Sequence, residues 1–286
     1  RHARTSPAAT PASRRGTTRT GFDNCLHPAI NQGTSRLKVI ATYNIMGGVG
    51  KTATAVNLAW LAAREGAPTL VWDLDPQGAA SYYFRIKPRI KGGGKRLVQG
   101  KRDLDDFIRG TDYELLDLLP ADFSYRKMDL YLEHTKNPIR QLRKLLKPFK
   151  SEYYYVFLDC PPSISLVSEN IFEATDTIVV PTIPTTLSLR TYKQIRNFFR
   201  QHDLDTVKIL PFFSMVDRRK KMHRAIVDSP PDYMKNLLQT SIPYDSNVES
   251  MGTRRTPLAE YAPNSRSARC YEDLWEDIKQ QLSQLD

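Results

Sequence analysis

Residues 46–52 read Met46-Gly47-Gly48-Val49-Gly50-Lys51-Thr52, set between an apolar run from Leu37 to Tyr43 and a helix-patterned stretch from Thr52 to Glu65. Glycine takes positive φ at little steric cost, so Gly47, Gly48 and Gly50 can turn successive backbone N–H groups toward an anion. Lys51 then supplies a point charge and the Thr52 hydroxyl a magnesium ligand, the division of labour of a phosphate-binding loop. The cradle covers Gly47, Gly48, Val49, Gly50, Lys51, Thr52 and Ala53. The common spacing asks for a further glycine five residues before the last, and position 45 is Ile, so the loop is a variant.

Outward from the loop, short apolar runs recur as buried strands: Leu37–Tyr43, Thr69–Asp73, Leu115–Leu119, Tyr153–Leu158, Thr177–Pro181 and Val207–Phe213. Helical patterns lie between them, among them Pro138–Phe149 and Leu187–Gln201, and a last helix runs from about Ala268 to Leu285. Alternating strands and helices predict an α/β fold, a doubly wound and mostly parallel sheet with ligands at the carboxyl ends of the strands. Such strand ends carry Asp73 and Asp159. Along an extended strand, Asp73 and Asp75 project to one side, since they are two residues apart. The plainer reading is that one of them only caps the following turn.

Composition narrows the class. With 286 residues and 40% apolar content the chain can bury one substantial core. No run of eighteen apolar residues exists, which excludes a spanning helix. Cys25, Cys160 and Cys270 are odd in number and far apart, which reads as reduced thiols in a cytoplasmic protein. The net charge of +11 is uneven: residues 1–38 hold seven Lys/Arg against the single acid Asp23. That Ser/Thr/Ala/Pro-rich start predicts a disordered basic tail over 1–36, with a transit peptide as the lesser alternative. Arg85–Arg102 holds eight Lys/Arg and no acid and is expected to be a mobile basic loop; its Gly92-Gly93-Gly94-Lys95 follows no strand and opens no hydrophobic period.

The Gly-Gly-x-Gly-Lys-Thr loop, followed by Asp73-Leu74-Asp75-Pro76-Gln77-Gly78, resembles the deviant Walker ATPases of the ParA/MinD superfamily, and among them the ParA-type partition ATPases. Phe157-Leu158-Asp159-Cys160-Pro161-Pro162 is similar to their Walker B strand end, and Pro257, Tyr261-Ala262-Pro263 and Ser265-Arg266 to their closing segment. The resemblance spans 37–286. It implies a P-loop NTPase domain that binds ATP and Mg²⁺, with Lys51 bridging the β- and γ-phosphates, Thr52 and Asp159 at the metal, and Asp73 and Asp75 near the γ-phosphate. Phosphoryl transfer needs chiefly positioning and charge stabilisation, so such a sparse set suffices. Asn-Lys-x-Asp, expected of a GTPase, is not matched by Ser214-Met215-Val216-Asp217, which favours ATP.

Two departures bear on activity. The family's second lysine, which reaches across a nucleotide-sandwich dimer, falls at Met46, and a thioether cannot neutralise phosphate. Ala53 lacks the hydroxyl many relatives place at the α-phosphate. The resemblance therefore supports nucleotide binding more firmly than hydrolysis. It further implies an ATP-dependent homodimer, non-specific DNA binding, nucleoid association, and a ParB-like or other stimulating or cargo protein. Candidate DNA contacts are Arg218, Arg219, Lys220, Lys221 and Arg224, expected to wrap a helix, together with Arg254, Arg255, Arg266 and Arg269 in the C-terminal region; a second basic helix holds Arg140, Arg143, Lys144, Lys147 and Lys150. Taken singly, such runs are solvated faces; their accumulation favours a polyanion. The family's arginine after Ile-Pro is unmatched at Tyr244-Asp245-Ser246-Asn247. A MinD-like membrane tail is disfavoured by the acidic end 271–278, and paired cysteines or a tyrosine cluster are lacking. The rival reading is a nucleotide-gated scaffold with little or no hydrolysis that positions a protein cargo.

Overall fold

Strands β1 (Lys38–Thr42), β2 (Thr69–Asp73), β3 (Arg109–Gly110), β4 (Leu116–Leu119), β5 (Tyr155–Asp159), β6 (Thr177–Thr182) and β7 (Lys208–Phe213) form one sheet in the order β3-β4-β2-β5-β1-β6-β7. The computed structural model describes residues 36–100, 104–202, 204 and 207–284; the predicted tail up to Ser35, positions 101–103 of the basic segment and Leu285 lie outside them. Pairing is parallel throughout except between β3 and β4. The chain winds from β1 toward β2 and β4, then returns through β5 to β6 and β7 on the other side. A parallel sheet wound in both directions leaves a crevice at the carboxyl ends of its central strands.

Period-two alternation splits the core between the two faces. Val39, Ala41, Leu70, Trp72, Val156 and Leu158 join one buried cluster, while Ile40, Val71, Tyr155 and Phe157 join the other. The sequence-predicted strands coincide with six of these within one or two residues. Edge strand β3 was not anticipated: it is two exposed residues long and has no apolar pattern to reveal it.

The first helices are α1 (Lys51–Arg64), α2 (Ala79–Tyr83), α3 (Gly93–Val98), α4 (Met128–Glu133), α5 (Gln141–Leu146), α6 (Leu166–Ala174), α7 (Thr186–Gln201) and α8 (Lys221–Asp228). Short α9 (Ser246–Glu249), α10 (Met251–Arg254) and α11 (Leu258–Tyr261) lead to the long α12 (Arg266–Leu282). Two expectations need correction. The helix predicted over 138–149 is regular only in α5, because Asn170 Oδ1 accepts from the backbone N–H groups of Gln141 and Leu142 and so sets its start. A 3₁₀ turn, Lys147–Ser151, follows at Pro148. The Arg85–Arg102 segment, expected as a mobile loop, instead contains α3, whose Leu97 and Val98 are fully buried.

Helix α12 lies against α1 and β5. Trp275 is buried with its ring 5.1 Å from Tyr155 and 5.9 Å from Phe157, and its indole N–H donates to Glu65 Oε2 at 3.0 Å. Lys279 pairs with the same Glu65 at 2.9 Å, where a cation suits the carboxyl end of α1. Trp275→Ala removes the ring and leaves a cavity between α12 and the sheet. The expected loss is about 3–5 kcal/mol of unfolding free energy, measured by urea denaturation.

Candidate functional site

The loop between β1 and α1 sits at the carboxyl edge of the sheet, at a helix N-terminus where backbone N–H groups lack intrahelical partners. Gly48 and Gly50 have φ of +71° and +92°, whereas Gly47, which was expected to share that freedom, is not among the positive-φ residues. A Cβ placed on any of the three glycines would meet nothing within 4 Å, so the loop encloses open space toward solvent. Val49 is fully buried, and its carbonyl accepts from the Ser214 hydroxyl at 2.9 Å, pinning the loop to the segment after β7. The Lys51 ammonium turns back into the loop and donates to the Met46 carbonyl at 2.9 Å. Burial pulls its pKa down, while Asp159, Cys160 and Asp75 push it up. Thr52 is half-buried at the head of α1, and Ala53 packs into the core beneath it. Met46 is half-buried, its N–H held by Asn44 Oδ1.

Across the crevice, Asp73 and Asp159 end adjacent strands and are direct register partners. Neighbouring strands stand about 4.8 Å apart, so two carboxylates share one buried site. Alternation puts them on the face of Phe157 and Val71, which packs against α1 and hence lies on the side of Lys51 and Thr52. Both oxygens of Asp159 and one of Asp73 are buried without a hydrogen-bond partner. The other oxygen of Asp73 accepts from the Ser81 N–H at 2.8 Å and the Ser81 hydroxyl at 2.7 Å. Burial raises the Asp73 pKa to about 7, with Ser81 opposing it and Asp75 adding to it. Asp159 is held well above the usual carboxylate range by burial and by the charge of Asp73, against which Thr52 and Lys51 act. Buried carboxylates with orphaned oxygens are costly unless a cation joins them.

Asp75 corrects the alternation argument. Strand β2 stops at Asp73, and Asp75 caps the ensuing turn, accepting from Gln77 N–H at 2.9 Å while its carbonyl accepts from Gly78. It stays close enough for its charge to act on Lys51, Asp73 and Asp159. Sequence reading missed Ser81, Asn44 and Ser214. All three are buried and act through tertiary hydrogen bonds that no local spacing announces. A small apolar recess beside Gly50 is lined in part by Met215, Ile242, Pro243 and Val248.

The sequence family described as an AAA domain matches residues 37–210. The sporulation initiation inhibitor protein Soj of Bacillus subtilis is 30% identical over 247 residues, covering 84% of this chain and 98% of its own. The chromosome partitioning protein ParA of Myxococcus xanthus is 27% identical, over 84% and 87%. The chain belongs to the ParA-type partition ATPases. Solved structures agree on the fold: an ATP complex of a Cyanothece McdA variant superimposes with a TM-score of 0.75 at 19% identity, covering 87% of this chain and 97% of the other. A Borrelia burgdorferi plasmid partition protein gives 0.70 at 19%, covering 86% and 99%. Among the described residues, no helix of this ParA-type chain is long and apolar enough to cross a membrane.

The basic residues of this ParA-type domain separate into groups. Arg218, Arg219, Arg224 and Arg266 share an open cleft of about 600 Å³ with Ser241 and Tyr244. The expected helical wrap is only partial, since α8 begins at Lys221 and Arg218–Lys220 form the turn before it. Asp217 grips Arg219 with both oxygens, at 2.9 and 3.0 Å, and its pKa falls to about 2 under that guanidinium. Arg254 and Arg255 lie outside this cleft. Arg255 stacks over Tyr82 at 4.4 Å and donates to the Tyr82 carbonyl at 3.0 Å, so its charge is committed to α2. Arg269 donates to the Asn264 carbonyl at 2.8 Å, while Lys220, the last residue of the turn, and Lys221, the first of α8, are exposed.

The carboxylate pair sets a pH dependence. Its pKa values are higher in the folded than in the unfolded chain, so the folded state holds these protons more tightly. The stabilisation is fully present below about pH 4 and is lost as pH rises through about 7 for Asp73. Without metal or nucleotide, the thermal midpoint is expected to fall between pH 5 and pH 8, by at most about 1.4 kcal/mol of stability per pH unit for one group. Asp73→Asn, which can still accept from Ser81, should flatten that fall. Parallel wild-type and variant curves would show that the pair carries no such strain.

Proposed function

We propose that this chain binds ATP with Mg²⁺ in the crevice between the 46–52 loop and β5, dimerises around the nucleotide, and in that state binds DNA without sequence preference. The observation that carries this reading is the pair of register-matched, buried carboxylates, three of whose four oxygens lack a hydrogen-bond partner, across from a glycine loop with open space above it. A magnesium nucleotide supplies a divalent charge for those oxygens and a polyanion for the loop. Thr52 and Asp159 would hold the metal, Asp159 through retained water. The backbone of Gly47, Gly48 and Gly50 would take the phosphates, and Lys51 would exchange the Met46 carbonyl for phosphate oxygen. Ser81 fixes Asp73 and Asp75 lies on the adjoining turn, and by resemblance to the family either would orient a water.

By likeness to the Myxococcus xanthus relative, which is named for chromosome partitioning, the proposed role is to partition or position DNA or another cargo, with a ParB-like or other protein stimulating release. ATP would favour the DNA-binding dimer only through its differential affinity for that state. Met46 favours a second reading: a nucleotide-gated scaffold with little turnover, since no ammonium stands at the position where the family carries its second lysine.

Lys51→Ala should abolish ATP binding in calorimetry, and undiminished affinity would remove the loop from the site. Met46→Lys is expected to raise ATP turnover if the remaining groups are competent; an unchanged rate favours the scaffold. DNA affinity measured with and without ATP across a salt series should require ATP and fall steeply with salt. Binding indifferent to both would reject the DNA reading.

A further inference from the structure

From Arg85 to Arg96 the chain carries a run of cations with no acid among them, which the proposed nucleotide site does not use. Lys87, Arg89, Lys91, Lys95 and Arg96 are all exposed, and none forms an ion pair with the described residues. They stand on a fixed base. Asp122 accepts from the Ile90 N–H at 3.0 Å with one oxygen, and with the other from the Ser124 N–H and hydroxyl at 2.9 and 2.6 Å. Ser124 Oγ in turn accepts from the Gly94 N–H at 2.7 Å. A Cβ on Gly94 would come within 2.9 Å of the Tyr125 ring, so only glycine permits this approach. Ile90, Leu97 and Val98 are buried below, and the 3₁₀ turn Phe123–Lys127 adds Arg126 and Lys127 alongside.

The base also abuts the candidate site. Pro88 packs so closely on Gly78, at the end of the Asp75 turn, that a Cβ there would lie 2.8 Å from the proline Cβ. Arg85 donates to the Arg254 carbonyl at 3.4 Å, joining the surface to the C-terminal basic segment.

We infer that this platform is a contact surface for the phosphate backbone of duplex DNA, additional to the cleft of Arg218, Arg219, Arg224 and Arg266; the inference rests on the DNA-binding reading above. Chemistry selects the partner. A protein partner gains most of its affinity from apolar or aromatic anchors in pockets, yet Ile90, Leu97 and Val98 of this segment are buried. Phe123, 63% exposed, has its ring face covered by Arg126 at 4.1 Å. Phosphates need only spaced, unpaired cations, which is what the segment presents.

The test is fluorescence anisotropy of a duplex with the full chain, Mg²⁺ and a non-hydrolysable ATP analogue, across a salt series. The triple variant Lys87→Gln/Arg89→Gln/Lys91→Gln is compared with Lys144→Gln/Lys147→Gln/Lys150→Gln, which loses equal charge around α5. All six residues are exposed, and circular dichroism checks that both variants fold. The platform variant is expected to bind about tenfold more weakly or worse, with a salt slope shallower by about 2–3, while the α5 variant stays near wild type. Equal losses in both variants, or no loss in the platform variant, overturn the inference and leave the DNA-binding reading standing. A wild-type chain that binds no duplex overturns both.

Discussion

Asp73 and Asp159 occupy matched positions on adjacent parallel strands, at the buried centre of the sheet. Two carboxylates so placed cannot both ionise cheaply, because desolvation and mutual repulsion act together. The surroundings meet part of that cost: Ser81 satisfies one oxygen, Thr52 and Lys51 stand on the facing helix, and three oxygens have no hydrogen-bond partner. The fold supplies this juxtaposition through strand order. With β5 inserted between β1 and β2, the loop-bearing strand and both acid-bearing strands end side by side.

The same geometry ties the site to the rest of the chain. Ser81 lies on α2, and α2 is gripped from the other side by Arg255 through the Tyr82 ring and carbonyl. On the loop side, Asn57 of α1 accepts from Leu258 N–H and donates to Met251 Sδ, so α10 and α11 are fastened to the helix that begins at Lys51. Segments carrying arginines are thus mechanically continuous with the acidic turn and with the phosphate-loop helix.

Sequence alone was sufficient for the parallel α/β architecture, because buried strands are written as short apolar runs and the glycine loop marks which one comes first. It also put Lys51, Thr52, Asp73 and Asp159 at strand or helix ends, where the structure has them. Tertiary structure decided what local pattern does not contain. It ended β2 before Asp75 and made that residue a turn cap, and it brought Ser81, eight positions away, onto Asp73. It ordered the glycine-rich basic segment through Asp122, Ser124 and Tyr125, some thirty residues downstream, and it divided the arginines between a cleft and the α2 clamp. The reason is the range of the forces involved: backbone propensity and hydrophobic period act over a few residues, whereas hydrogen bonds and charge pairing depend on which distant segments the packed sheet brings within about 3 Å.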